Sequence, residues 1–143
     1  PLYAVDIVAI SKDRTISMDG WHSLKPYAVG IMDKIESIEK EVLRVEGVRV
    51  ERAGSYAQLL KMLDAGRVDV VIAPKLHVVA VMKGLGLSSL NVLEPPLGEM
   101  QLFHYLNVKH EALAKDLERV LSEMHSEGVM ETIKADYRAR FLE

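Results

Sequence analysis

Cysteine is absent from the 143-residue sequence, which excludes disulfides, thiolate metal sites and a cysteine nucleophile and leaves the redox compartment open. Long hydrophobic runs are absent too. The apolar stretches are interrupted by Asp69, His77 and Lys83, and none reaches the roughly 18 residues that a membrane span needs. A basic excess is also missing: 18 Lys and Arg stand against 21 Asp and Glu, for a net charge of -3. No field therefore attracts nucleic acid. The opening segment, "PLYAVDIVAISKD", has Asp6 inside its apolar stretch and no basic region before it, so it is not a signal peptide. A chain that starts with proline reads as a processed or truncated piece of a longer product.

Catalytic and metal motifs are lacking as well. "HEALA" at His110 has no second histidine in the H-E-x-x-H position, and His22, His77, His104, His110 and His125 include no pair four apart. They read as surface or internally satisfied side chains. "SIEK" at 37–40 matches S-x-x-K without its companion motifs, and Ser37 lies on an amphipathic helix as a solvated position. "GLGLSS" has Ser89 where a dinucleotide fingerprint needs its third glycine, and it follows a helix rather than a strand. The carboxylates read as solvated helix faces. Catalytic residues, metal ligands and cofactors are therefore all assigned as none, and the chain is read as no enzyme.

What is present is the composition of a soluble globular domain, 49% hydrophobic and 27% charged, long enough for a real core. "YAVDIVAI" (3–10), "YAVGI" (27–31), "VRVERA" (48–53) and residues 68–73 have the length and β-branched content of strands. Asp33 with Glu36, and Ser55 with Gln58, have capping-box spacing for the helices that follow. Ile35, Ile38 and Val42 share one face of the first helix; Leu59, Leu60 and Leu63 supply the apolar side of the second. A third helix over 75–83 is closed by Gly84 and Gly86. Residues 27–83 are thus three consecutive strand–helix units, which predicts a parallel-rich, layered α/β sheet with flanking helices. Two extended stretches surround Pro95-Pro96. A helix over 110–125, striped by Leu113, Leu117, Val120, Leu121 and Met124, precedes a shorter one after Gly128.

The order of three segments, "DGWHSLKPYAVGI", "AGSYAQLLKMLDAGRVDVVIA" and "LFHYLNVKHEALAKDLERVLSEMHSEGVMETIKADY", resembles the second half of bacterial periplasmic solute-binding proteins. The kind resembled is type II, the amino-acid-binding proteins of ABC importers. The resemblance implies one partial solute-binding domain over 1–143. Residues 27–92 would be the second lobe, and 1–10 and 99–143 the crossing strands and a remnant of the first lobe. It also implies a periplasmic or extracellular location, a ligand held between lobes, and a membrane permease or receptor as partner. In that family an aspartate usually follows the strand matching 68–73 and pairs with the ligand's ammonium; here Pro74 stands there. Asp69 matches a second aspartate, structural in role. Met32, Asp33 and Lys34 replace small residues. The resemblance thus implies the fold more firmly than an amino-acid ligand.

In open α/β sheets ligands bind outside the carboxyl ends of the strands. The candidate ligand-binding residues are accordingly Asp33 and Lys34 after the first of the three strands, Arg52 and Ser55 at the second, and Pro74 and Lys75 at the third. Lys75, Arg52 and Lys34 would favour a small polar or acidic solute. Two other readings remain open: a domain of the same fold with small-lyase activity, and a degenerate, ligand-free interaction module. The apolar face of the 110–125 helix predicts self-association as a homo-oligomer.

Overall fold

A computed structural model describes residues 3–141. Pro1 and Leu2 of the expected first crossing strand, and Leu142 and Glu143 of the expected first-lobe remnant, lie outside the described residues. Two compact units divide the chain, one running from Val5 to Met100 and the other comprising the residues outside those bounds.

The sheet is assembled from β1 (Tyr3–Ser11), β2 (Ala28–Met32), β3 (Arg49–Ala53), β4 (Val70–Pro74), β5 (Asn91–Val92) and β6 (Gly98–Leu102), in the order β3-β2-β4-β1-β5, with β6 paired to β1. β2 runs parallel to both β3 and β4. β1 is antiparallel to β4 and to β5, so β2, β3, β4 and β5 share one direction. The parallel-rich α/β sheet expected from the strand–helix repeats is present. β1 is the reversed strand, lying between β4 and β5 and buried on both faces from Ile7 to Ser11.

Helices α1 (Glu36–Leu43), α2 (Tyr56–Asp64) and α3 (Lys75–Leu85) form the connections. The chain steps from β2 to β3 in one direction and from β3 across to β4 in the other. Right-handed crossovers therefore place α1 on one face and α2 on the opposite one. On the α2 and α3 side, Val8, Ile10, Val71 and Ala73 pack with Tyr56, Leu59, Leu60, Leu63 and Val78. Alternation sends Val29, Ile31, Val70 and Ile72 to the other side; there the buried set includes Ile38 and Val42 of α1.

Gly66 shows why the helix-ending glycines matter. Its φ is +72°, the Gly66 N–H bonds to the Leu63 carbonyl at 3.0 Å, and the Arg67 N–H bonds to Met62 at 2.9 Å. That pair of bonds closes α2, and only glycine takes the left-handed angle without strain. Gly86 does the same for α3 at φ +66°, while Gly84 lies inside that helix rather than closing it.

One expected cap is corrected. α1 begins at Glu36 with Ile35 as its N-cap, not Asp33. β2 extends to Met32, and the Asp33 N–H still bonds across the ladder to the Ala53 carbonyl at 3.0 Å. Lys34 then turns at φ +68°, so Asp33 lies too early to cap. Ile35 accordingly packs with the α2–α3 cluster instead of sharing the inner face of α1. The Ser55 cap is present, its hydroxyl accepting from the Gln58 N–H at 3.2 Å.

The second unit contains α4 (Glu111–Ser126) and α5 (Val129–Phe141). Neither element of it from Phe103 onward buries a described residue. Among the described residues, eight of the ten large apolar side chains that stand exposed belong here, including Tyr105, Val108, Leu113 and Ile133.

Gly30 marks the tightest point between β2 and α2. A Cβ there would lie 3.1 Å from Leu59 and 3.2 Å from Val71. Overpacking a core costs about 1–3 kcal/mol, so Gly30→Val is expected to lower the urea unfolding free energy by that amount. An unchanged value would contradict the packing described.

Candidate functional site

The parallel register brings the carboxyl ends of three strands to one level. Met32 pairs with Ala53, and Ile31 pairs with Ile72. After β2 the chain leaves toward one face through α1; after β3 and β4 it leaves toward the other through α2 and α3. Such a divergence opens the crevice where α/β sheets take ligands. Asp33, Lys34, Ser55, Pro74 and Lys75 are all placed along this edge by the ladder.

Their side chains are differently committed. Ser55 caps α2. Pro74 ends β4, opposite Ile7 of β1, and serves as the N-cap of α3 without a side-chain bond. Lys75 is the first residue of α3, and its ammonium contacts Glu94 at 2.7 Å. Arg52 is directed to α1, where Nε and Nη2 donate to one oxygen of Glu39 at 3.0 and 2.6 Å. Asp33 and Lys34 are exposed, with no ion pair among the described residues. Lys34 is a non-glycine residue in the left-handed region, which costs roughly 1–2 kcal/mol.

Two further charged groups share the edge. Ile7 opposite Pro74 puts Asp6 level with Lys75. Glu94 follows β5, which runs in the same direction as β4. The signals were a lone acid within an apolar strand and an acid before Pro95-Pro96; neither identifies a position until the order of strands is known.

Tyr56 lies in the first turn of α2, 5% exposed, with its ring 5.6 Å from that of His77 on α3. Its hydroxyl is buried and has no hydrogen-bond partner among the described residues. Burial pushes its phenol up to about 12.

The opposite, amino edge is occupied by structural bonds. Asp69 accepts the Ala28 N–H at 2.7 Å, and Ser11 donates its hydroxyl to the Asp69 carbonyl at 2.8 Å. A cavity of about 370 Å³ beside them is lined by Lys12, Tyr27 and Leu63 among others. A larger one, about 600 Å³, lies within the second unit between Phe103, Leu106, Leu117 and Leu121. With no buried residue around it, that space is an unfilled apolar face rather than a shaped ligand site.

No family model and no curated protein matches the sequence. Solved structures do. An ancestral arginine-binding protein bound to glutamine superposes with a TM-score of 0.72 at 22% identity, covering 96% of this chain and 61% of that one. The fold is that of the periplasmic binding proteins. A histidine kinase sensor domain with similarity to periplasmic binding proteins gives 0.78 at 16% identity, over 94% of this chain and 59% of its own. The ligand-binding core of GluR0 in complex with L-glutamate gives 0.76 at 13%, over 100% and 62%. This chain thus spans about three-fifths of the length of each. Among the described residues, no helix is long and apolar enough to cross a membrane, and no cluster of metal-ligating side chains occurs.

Tyr56 makes stability depend on alkaline pH. The folded chain holds the phenolic proton above the ordinary value near 10, so stability falls as pH rises from about 10 through about 12. Tyr56→Phe is expected to lessen that alkaline loss by on the order of 2 kcal/mol near pH 12. At pH 7 it should be neutral or stabilising, because an unbonded buried hydroxyl is removed. A loss of more than about 1 kcal/mol at pH 7 in urea unfolding would show that the hydroxyl has a bonded partner.

Proposed function

We propose that the chain is part of a solute-binding domain of an ABC-type uptake system or a related sensor, holding a small polar or acidic ligand at the carboxyl edge of the sheet. The observation that carries this reading is the level ending of β2, β3 and β4 where α1 and α3 depart to opposite faces. The binding-protein neighbours support a binding role rather than catalysis. Residues 27–92 would form the second lobe, and 1–10 and 99–143 the crossing strands and first-lobe remnant. The ligand-binding residues proposed are Asp33, Lys34, Ser55, Pro74 and Lys75. Arg52 takes the supporting place in this set, since Glu39 holds its guanidinium.

Pro74 offers neither charge nor N–H, so no carboxylate follows β4 directly to bind an ammonium. Lys75, at the start of α3, instead supplies a cation beside free helix N–H groups, and both suit an anionic oxygen. The partners are accordingly a small-molecule ligand and a membrane permease or receptor, with no nucleic acid, in a periplasmic or extracellular setting. Self-association through the apolar side of α4 belongs to the same proposal, because so large an exposed patch is unusual for a monomer.

A thermal-shift screen of small carboxylates, neutral amino acids and cationic amino acids tests the reading. A ligand present at 100 times its dissociation constant should add about 2.7 kcal/mol. Lys75→Ala should weaken carboxylate binding about tenfold, the worth of a charge-assisted hydrogen bond at a partly open site. Unchanged carboxylate affinity, or a preference for the cationic amino acids, would contradict it.

A further inference from the structure

Glu94 is held beside Lys75, the cation that the solute-binding reading offers to a ligand's anionic group. The N–H groups of Leu93 and Leu97 bond to the Ala9 and Ile7 carbonyls, each at 2.8 Å, which fixes the intervening segment alongside β1. From there the Glu94 carboxylate reaches Lys75 Nζ at 2.7 Å. The two side chains are 56% and 37% exposed, so the contact is open to solvent rather than sealed.

The chemistry on the two sides of this contact is unequal. Lys75 opens α3, where the helix end already carries partial positive charge, so its ammonium gains from any anion placed beside it. Glu94 is the anion now present. Arg52 differs: its two donors converge on Glu39, whose place in the first turn of α1 independently suits a negative charge. The Arg52 pair therefore has a reason to persist, while Lys75 has three rotatable donors on a flexible stem and can exchange one acceptor for another.

We propose that Glu94 is a specificity-determining residue of the site, an internal carboxylate that occupies Lys75 until a ligand carboxylate displaces it. The proposal rests on the solute-binding reading given above. A carboxamide or hydroxyl cannot replace the charge that Glu94 supplies; a second carboxylate can. The edge then ranks ligands by their ability to take over Lys75. An exposed ion pair of this kind is weak enough to be displaced, corresponding to an affinity difference of about 1.5- to 5-fold.

The test compares the full chain with Glu94→Gln, Lys75→Ala and the double variant, titrated calorimetrically with acetate, succinate, L-glutamate and the uncharged succinamide. Glu94→Gln should bind succinate and L-glutamate about two- to fivefold tighter and leave succinamide unchanged. The gain should vanish in the Lys75→Ala background, because the pair acts as a unit. Glu94→Asp, which keeps the charge on a shorter stem, should fall between and serves if the glutamine variant does not fold. Carboxylate affinity that is unchanged or weaker in Glu94→Gln overturns the role of Glu94 and leaves the solute-binding reading standing. A gain that persists without Lys75 overturns it as well, since it would report only a change in long-range field. If no chain of the four binds any carboxylate, both the proposal and the acidic-solute reading fall.

Discussion

The register of β2 against β4 is the constraint on which the rest depends. Asp69 sets it from two sides: its carboxylate accepts the Ala28 N–H at 2.7 Å, and its own N–H bonds to the Ala28 carbonyl at 2.8 Å. Ser11 of β1 adds its hydroxyl to the Asp69 carbonyl. The parallel strands β2 and β4 are thereby pinned at their amino ends, and β1 at its carboxyl end. A slip of one residue would send Val71 and Ala73 out of the α2–α3 cluster and turn their neighbours into it. With the starts fixed, the strands end level, and the opposite edge inherits its geometry.

That arrangement separates the part of the molecule that carries stability from the edge proposed to take a ligand. The amino edge uses its polar groups on backbone partners, and the two buried faces supply the apolar burial that dominates folding. The carboxyl edge retains a left-handed lysine, two helix starts without side-chain caps, and an ion pair open to solvent. Features of this sort are tolerated where the surrounding sheet holds them in place, and they gather at binding sites. The second unit follows the reverse pattern, with an apolar stripe along α4 and, from Phe103 onward, no buried residue among those described. Its helices gain little from propensity alone at that length.

Much of the fold was legible because local chemistry marks the joints. Gly66, Gly86 and Gly128 stand where helices stop, Ser55 where one starts, and β-branched runs where strands lie. Asp33 misled because Asp-x-x-Glu spacing is satisfied whether or not the preceding strand ends in time; continued pairing with Ala53 decided the matter. The loops of the candidate site could be placed from strand order, but their charges could not. Arg52 meets Glu39 thirteen residues away, and Lys75 meets Glu94 nineteen away across β1. Asp6 reaches the same edge only because β1 is inserted antiparallel beside β4. Such contacts depend on topology, which no local pattern encodes.

The central claim is that solute meets this chain at the carboxyl edge of the Val5–Met100 sheet. Amide chemical-shift mapping during titration with succinate tests it most directly. The account predicts that the largest perturbations fall on residues 33–35, 54–57 and 75–77, the three loops brought level by the ladder. Perturbations concentrated at Ser11, Tyr27 and Asp69 on the amino edge, or along Phe103 to Leu121, would contradict it.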